Sequence, residues 1–115
     1  MCAQKEVEMF IKNKDRESKI LLEGISYKTL TYGEKTSLGV FSLGKGSIIP
    51  KHKHPHEQTG YVISGRMIFT IGDERFEAEP GDSWNIPSNV EHDVDVLEDT
   101  VVIEVFSPAR EDYLP

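Results

Sequence analysis

From Ile20 onward, turn-forming residues cut the chain into pieces too short for an ordinary helix. The breaks fall at Gly24, Tyr32-Gly33-Glu34, Gly44-Lys45-Gly46, Ser64-Gly65, Gly72-Asp73, Pro80-Gly81-Asp82, Pro87-Ser88-Asn89 and Glu98-Asp99. Between them lie candidate strands at 20–23, 26–32, 37–43, 46–53, 58–64, 66–71, 75–78, 83–86, 91–96 and 100–106. Many short strands at regular spacing make an antiparallel sandwich or barrel. Ile71-Gly72-Asp73-Glu74-Arg75 reads as a hairpin, and Ser64-Gly65-Arg66 as a second tight reversal. Only residues 3–19, rich in charge, are left to form a short helix or an arm.

At 115 residues the chain is one domain, able to bury one modest core. A single cysteine, Cys2, rules out an internal disulfide and fits a reducing compartment. No apolar run is long enough to span a membrane, and the first residues lack an apolar signal core. The expected location is therefore cytoplasmic. A net charge of −7 argues against non-specific nucleic-acid binding. The charge is uneven: residues 1–56 hold ten Lys/Arg against six Asp/Glu, and residues 57–115 hold three against fourteen. This is either a solvated surface with acidic turns or a placement of Lys45, Lys51 and Lys53 at the mouth of a site for an acidic small molecule.

The densest chemical signal is Lys51-His52-Lys53-His54-Pro55-His56-Glu57-Gln58, which holds three of the four histidines. On a strand, His52 and His54 point one way and Lys51 and Lys53 the other. Two buried imidazoles need partners, and a shared metal ion satisfies both. The fourth histidine, His92, lies 34 residues past Gln58, behind the stiffening Pro87. Gln58 offers an amide oxygen as a fourth ligand, with Glu57 competing for the role. His56, beside Pro55, is expected to face solvent or to stand behind the ligands.

Near the C-terminus, Thr100-Val101-Val102-Ile103-Glu104-Val105-Phe106 is apolar except for Glu104. If Val102, Glu104 and Phe106 face inward, Glu104 lies near the metal, where it can serve as general acid or base. If the alternate set faces inward, Glu104 is a surface residue. Arg110 can fork onto a substrate carboxylate or pair with Glu111, Asp112 or another acidic residue. The strand is apolar on both faces, and a small barrel leaves sheet edges to cover, so a homodimer is expected.

Two spacings in the chain resemble those of a known family. Gly46, five residues, His52, one residue, His54, three residues, Gln58, six residues and Gly65 resemble the first motif of the cupins. Gly81, five residues, Pro87 and then Val90-Glu91-His92 resemble the second. The resemblance implies an all-β fold, the double-stranded β-helix or jelly-roll barrel, as a single domain over residues 20–115. Residues 1–19 would form an N-terminal arm or short helix. The chain departs from the pattern at Gln58, where the family usually has Glu, at Asn89, usually Gly, and at Val96, usually Asn. Asn tolerates the left-handed backbone that Gly serves. Three histidines and a glutamine would be a neutral ligand set, leaving the ion its full 2+ charge as a Lewis acid. Zn, Ni, Fe, Mn, Co and Cu all suit such ligands.

The HxHPHEQ stretch, the PGD turn, PxNxxH and the VFSPxRED ending also resemble the cupins of pectin and alginate catabolism, which linearise unsaturated uronates. That resemblance implies metal ligands at His52, His54, Gln58 and His92. It implies a catalytic carboxylate at Glu104, where the family has Asp, and substrate contacts at Phe106 and Arg110. Ring opening or tautomerisation of a small acidic sugar is the expected reaction, with Glu104 moving a proton and Arg110 orienting the carboxylate. The alternatives are a dioxygenase using Fe or Cu, and a non-enzymatic metal- or ligand-binding cupin.

Overall fold

The computed structural model describes residues 8–115. Ten strands follow one another: β1 (Lys19–Leu22), β2 (Ile25–Tyr32), β3 (Ser37–Leu43), β4 (Ile48–His52), β5 (Glu57–Ser64), β6 (Met67–Ile71), β7 (Glu74–Ala78), β8 (Ser83–Ile86), β9 (His92–Val96) and β10 (Thr100–Ser107). Each predicted strand is present, with ends moved by at most two residues. The helix or arm expected over 3–19 is, within the described residues, an irregular segment with one 3₁₀ turn at Asn13–Asp15. Its first residues lie outside the described chain.

The strands form two antiparallel sheets, one ordered β1-β2-β3-β10-β5-β8 and the other β4-β9-β6-β7. β6 and β7 pair across Gly72-Asp73, with Ile71 opposite Glu74. This is the expected hairpin, and Gly72 has the positive φ such a turn needs, at 59°. The reversal at Gly65 does something different. It carries the chain from the large sheet to the small one, because β5 pairs with β10 and β8 while β6 pairs with β9 and β7.

Alternation then builds the core. Phe41, Leu43, Val62, Ile86, Val102 and Phe106 point inward from the large sheet, and Met67, Phe69, Ala78, Val94 and Val96 from the small one. Burying each large apolar side chain contributes roughly 1.5–3 kcal/mol. On β10 the pattern is regular: Thr100, Val102, Glu104 and Phe106 are buried, and Val101, Ile103 and Val105 are half-buried on the outside. Glu104 therefore faces inward, the first of the two orientations open from the sequence. β10 lies between β3 and β5, so it supplies no sheet edge. The edge argument for a dimer does not apply to this strand.

Candidate metal centre

His52 ends β4 and is the direct cross-strand partner of His92, which opens β9. Their rings lie 4.2 Å apart between centroids. The expected strand through His54 stops at His52, so His54 lies just past it. The loop is held in place by Asn89, whose backbone N–H donates to the His54 carbonyl at 2.8 Å. Among the described residues, Asn89 is the non-glycine residue with positive φ, 62°, the conformation expected where Asn replaces Gly. The turn in the second motif thus fixes the histidine of the first. The His54 ring lies 5.0 Å from His92 and 5.7 Å from His52. One nitrogen from each of the three lies within 4.8 Å of the others.

The tautomers follow from the backbone. Nδ1 of His52 contacts the Pro50 carbonyl at 2.8 Å, Nδ1 of His54 the His56 carbonyl at 2.9 Å, and Nδ1 of His92 the Val90 carbonyl at 2.8 Å. A carbonyl only accepts, so each Nδ1 donates and each neutral ring keeps its lone pair on Nε2. Nε2 of His92 is buried with no hydrogen-bond partner among the described residues. Nε2 of His54 faces Oε1 of Gln58 at 3.0 Å. Two acceptors at that distance repel unless a proton or a cation lies on them. Burial, aided by the Arg110 charge, lowers the His54 pKa, and burial lowers that of His92 to about 4. A proton is therefore disfavoured, and a metal ion fits these groups. Holding each ligand ring by a hydrogen bond from its other nitrogen is how metal-binding histidines are oriented.

Behind Gln58 stands a second polar layer. In the large sheet Glu104 is opposite Gly60, and Gly60 is opposite Trp84. Trp84 donates its indole N–H to Glu104 Oε1 at 2.8 Å, and the Gln58 amide donates to Oε2. The two side chains meet over Gly60. A Cβ there would lie 1.9 Å from Glu104 Oε1 and 2.3 Å from the indole. Burial raises the Glu104 pKa to about 8, against the pull of the Trp84 and Gln58 hydrogen bonds.

After β10 the chain folds back across the barrel mouth and ends in a 3₁₀ turn, Glu111–Tyr113. Arg110 packs over the Phe106 ring at 5.1 Å and the Tyr113 ring at 4.2 Å, and its Nε donates to Asp112 at 2.8 Å. Thr29 donates to the Tyr113 carbonyl at 2.7 Å, holding the turn down. A cavity of about 50 Å³ lies between these groups, lined by His52, Gln58, His92, Glu104, Phe106 and Arg110, among others.

The fold thus gathers His52, His54, His92, Gln58, Glu104, Phe106 and Arg110 into one region. Arg110 pairs with Asp112, one of the acidic partners open to it from the sequence, and it also lines the cavity. His56 is not solvent-facing. It is 5% exposed because its ring packs beside His54 and Phe106, and its Nε2 is 3.3 Å from Glu111. Glu57 is exposed and accepts from Asn85. Lys45, Lys51 and Lys53 point to solvent and do not line the cavity, whose cation is Arg110. Trp84, Gly60 and Tyr113 were not singled out from the sequence. The only hint was a glycine interrupting the strand 58–64, a sign of close approach.

Comparison with known proteins agrees with this geometry. A family model described as the cupin domain matches residues 39–107. The pectin degradation protein KdgF of Dickeya dadantii is 34% identical over 94 residues, covering 80% of this chain and 86% of that protein. The solved structure of KdgF from Halomonas sp. superposes with a TM-score of 0.86 at 28% identity, covering 93% of this chain and 99% of that one. An RmlC-like cupin from Shewanella frigidimarina gives a TM-score of 0.88 at 26% identity, covering 93% and 96%. A jelly roll that brings together two histidines of the small sheet and a third from the loop after β4, with both motifs and these relatives, makes this chain a member of the cupin family.

Proposed function

We propose that this chain is a metal-dependent enzyme that opens or tautomerises an unsaturated uronate, with His52, His54, His92 and Gln58 holding one divalent transition metal. The observation that carries the reading is that one nitrogen from each of His52, His54 and His92 lies within 4.8 Å of the others, beside a cavity lined by the buried carboxyl of Glu104 and the cation of Arg110. The likeness to proteins named for pectin degradation supports the substrate class.

Bound there, the ion would act as a Lewis acid toward a sugar oxygen. The residues supply the rest. Arg110, its Nε engaged by Asp112, offers a guanidinium to the substrate carboxylate. Phe106 offers an apolar face. The cavity, about 50 Å³ and partly open, leaves room beside these groups for the reacting end of the sugar. Glu104 moves a proton between oxygen and carbon: burial favours its protonated form and a bound cation its ionised form, so the carboxyl can serve in both directions. The conversion is an isomerisation, with no change of oxidation state. The single cysteine fits a reducing compartment, and we place the reaction in the cytoplasm.

A second copy of the chain would cover the outer face of the large sheet, where Tyr61 and Ile63 are 48% and 47% exposed beside the half-buried Val101, Ile103 and Val105. Sedimentation velocity of the wild type and Tyr61→Lys tests this, with a dimer expected for the first and a monomer for the second.

Proton NMR of unsaturated galacturonate with metal-loaded protein tests the activity. The alkene signal should decay with wild type and persist with Glu104→Gln. An alkene signal untouched by wild type with each candidate metal would end the uronate reading, and oxygen uptake on a diketone would favour the dioxygenase instead.

A further inference from the structure

An indole N–H can only donate. With a cation bound nearby the ionised carboxyl is favoured; Trp84 donates to Glu104 Oε1 at 2.8 Å, and Oε2 is left to accept from the amide nitrogen of Gln58. An amide has one oxygen end and one nitrogen end. With its nitrogen engaged by Glu104, Gln58 turns its oxygen toward His54 Nε2, 3.0 Å away. We infer that Trp84, acting through Glu104, decides which end of the Gln58 amide faces the three histidines. Trp84 is a positioning residue on an edge strand of the large sheet, separated from the ligand it orients by one side chain, Glu104.

The backbone shows what this arrangement requires. Glu104 and Trp84 are separated by β5 and meet because Gly60, between them, has no side chain. Any Cβ at that position would overlap both partners. Glycine inside a strand costs about 0.5–1 kcal/mol relative to alanine, and here the space it leaves is filled by the hydrogen bond. Phe69, from the opposite sheet, packs on the indole with 4.9 Å between ring centroids, so the donor is held on its second side.

The inference rests on reading the histidines as a metal centre and makes a prediction that packing alone does not. In Glu104→Gln, the indole N–H captures the oxygen of the introduced amide. The NH₂ of that amide then faces Gln58, which must turn its own oxygen to meet it. Gln58 now shows the histidines an NH₂ group, which cannot ligate. If the indole N–H is removed as well, in Trp84→Phe/Glu104→Gln, the introduced amide is free to turn round. Its oxygen can then accept from Gln58, and the Gln58 oxygen returns to the histidines. The second substitution repairs the first.

Nickel affinity, measured by competition with a chromophoric chelator, tests this on four proteins: wild type, Glu104→Gln, Trp84→Phe and the double variant. Glu104→Gln should bind roughly 10- to 100-fold more weakly, and the double variant should regain at least about fivefold of that loss. A Glu104→Gln protein with wild-type affinity, or a double variant no tighter than Glu104→Gln, overturns the inference and leaves the metal reading standing. A wild type that takes up no metal overturns both. One measurement needs no variant and serves if a substituted protein does not fold. The chain has one tryptophan and hence one indole N–H resonance. Zinc, which is diamagnetic, should shift it, saturating at the wild-type zinc affinity. A resonance that zinc binding leaves in place overturns the inference.

Discussion

His52 and His92 are cross-strand partners, one at the end of β4 and one at the start of β9, with 4.2 Å between ring centroids. Each is oriented by a carbonyl two residues earlier, Pro50 for His52 and Val90 for His92. Each local turn therefore aims its own ring, and strand pairing brings the two rings together. His92→Ala removes the buried Nε2 and should lower affinity for nickel or zinc by at least about 100-fold, beyond the effect of losing an orienting partner. Elemental analysis and isothermal titration of protein purified without chelator check this.

Metal bound to the folded state alone also stabilises it. At a free concentration of 100 times Kd the gain is about 2.7 kcal/mol, and a chelator should remove it. Thermal unfolding of the wild type with and without chelator should show this loss. His92→Ala should show almost none.

Arg110 is held by Asp112, Phe106 and Tyr113 while facing the cavity. Lysine at this position carries the charge without the planar fork. Arg110→Lys should lose one charge-assisted hydrogen bond to the substrate, about 1.5–3 kcal/mol, which is about 10- to 100-fold in kcat/KM. Initial rates on the unsaturated uronate would show it, and the melting temperature should change little.

Glu104 gives the metal-free protein a pH dependence of defined sign. Its folded pKa is raised to about 8, so the folded state holds its proton where the unfolded chain has lost it. The stability this contributes is complete below the unfolded value and lost as pH rises through about 8. Trp84 and Gln58 face this carboxyl. His92 acts in the opposite sense: its pKa is lowered to about 4, so stability is lost as pH falls from the ordinary histidine range toward that value. Urea unfolding of metal-free wild type and Glu104→Gln should show the variant gaining on the wild type between pH 5 and pH 8. A constant difference across that range would contradict the assignment.

Gly60→Ala places a methyl group where Glu104 and Trp84 meet. Overpacking of this kind costs about 1–3 kcal/mol. The urea midpoint should fall accordingly, and the indole N–H resonance should move as its bond to Glu104 is broken.

Local signals made much of this molecule legible in its sequence. Turn residues and two-residue alternation located every strand, because both are properties of short stretches of backbone. The spacing of His52, His54, Gln58 and His92 marked a set of ligand candidates, because a strand places alternate residues on one side. For His56 the sequence left two places open, facing water or behind the ligands, because only the returning C-terminal turn decides whether a turn residue beside proline is covered. Tyr113 was missed for the same reason.

What the chain determined by itself was a succession of strands and the residues capable of binding an ion. Which strands became neighbours was decided only in three dimensions. That choice turned Glu104 inward, set it across Gly60 from Trp84, and brought Arg110 back over the histidines. The physical reason is that register between strands far apart in sequence depends on the joint fit of both sheets, and no local pattern encodes it.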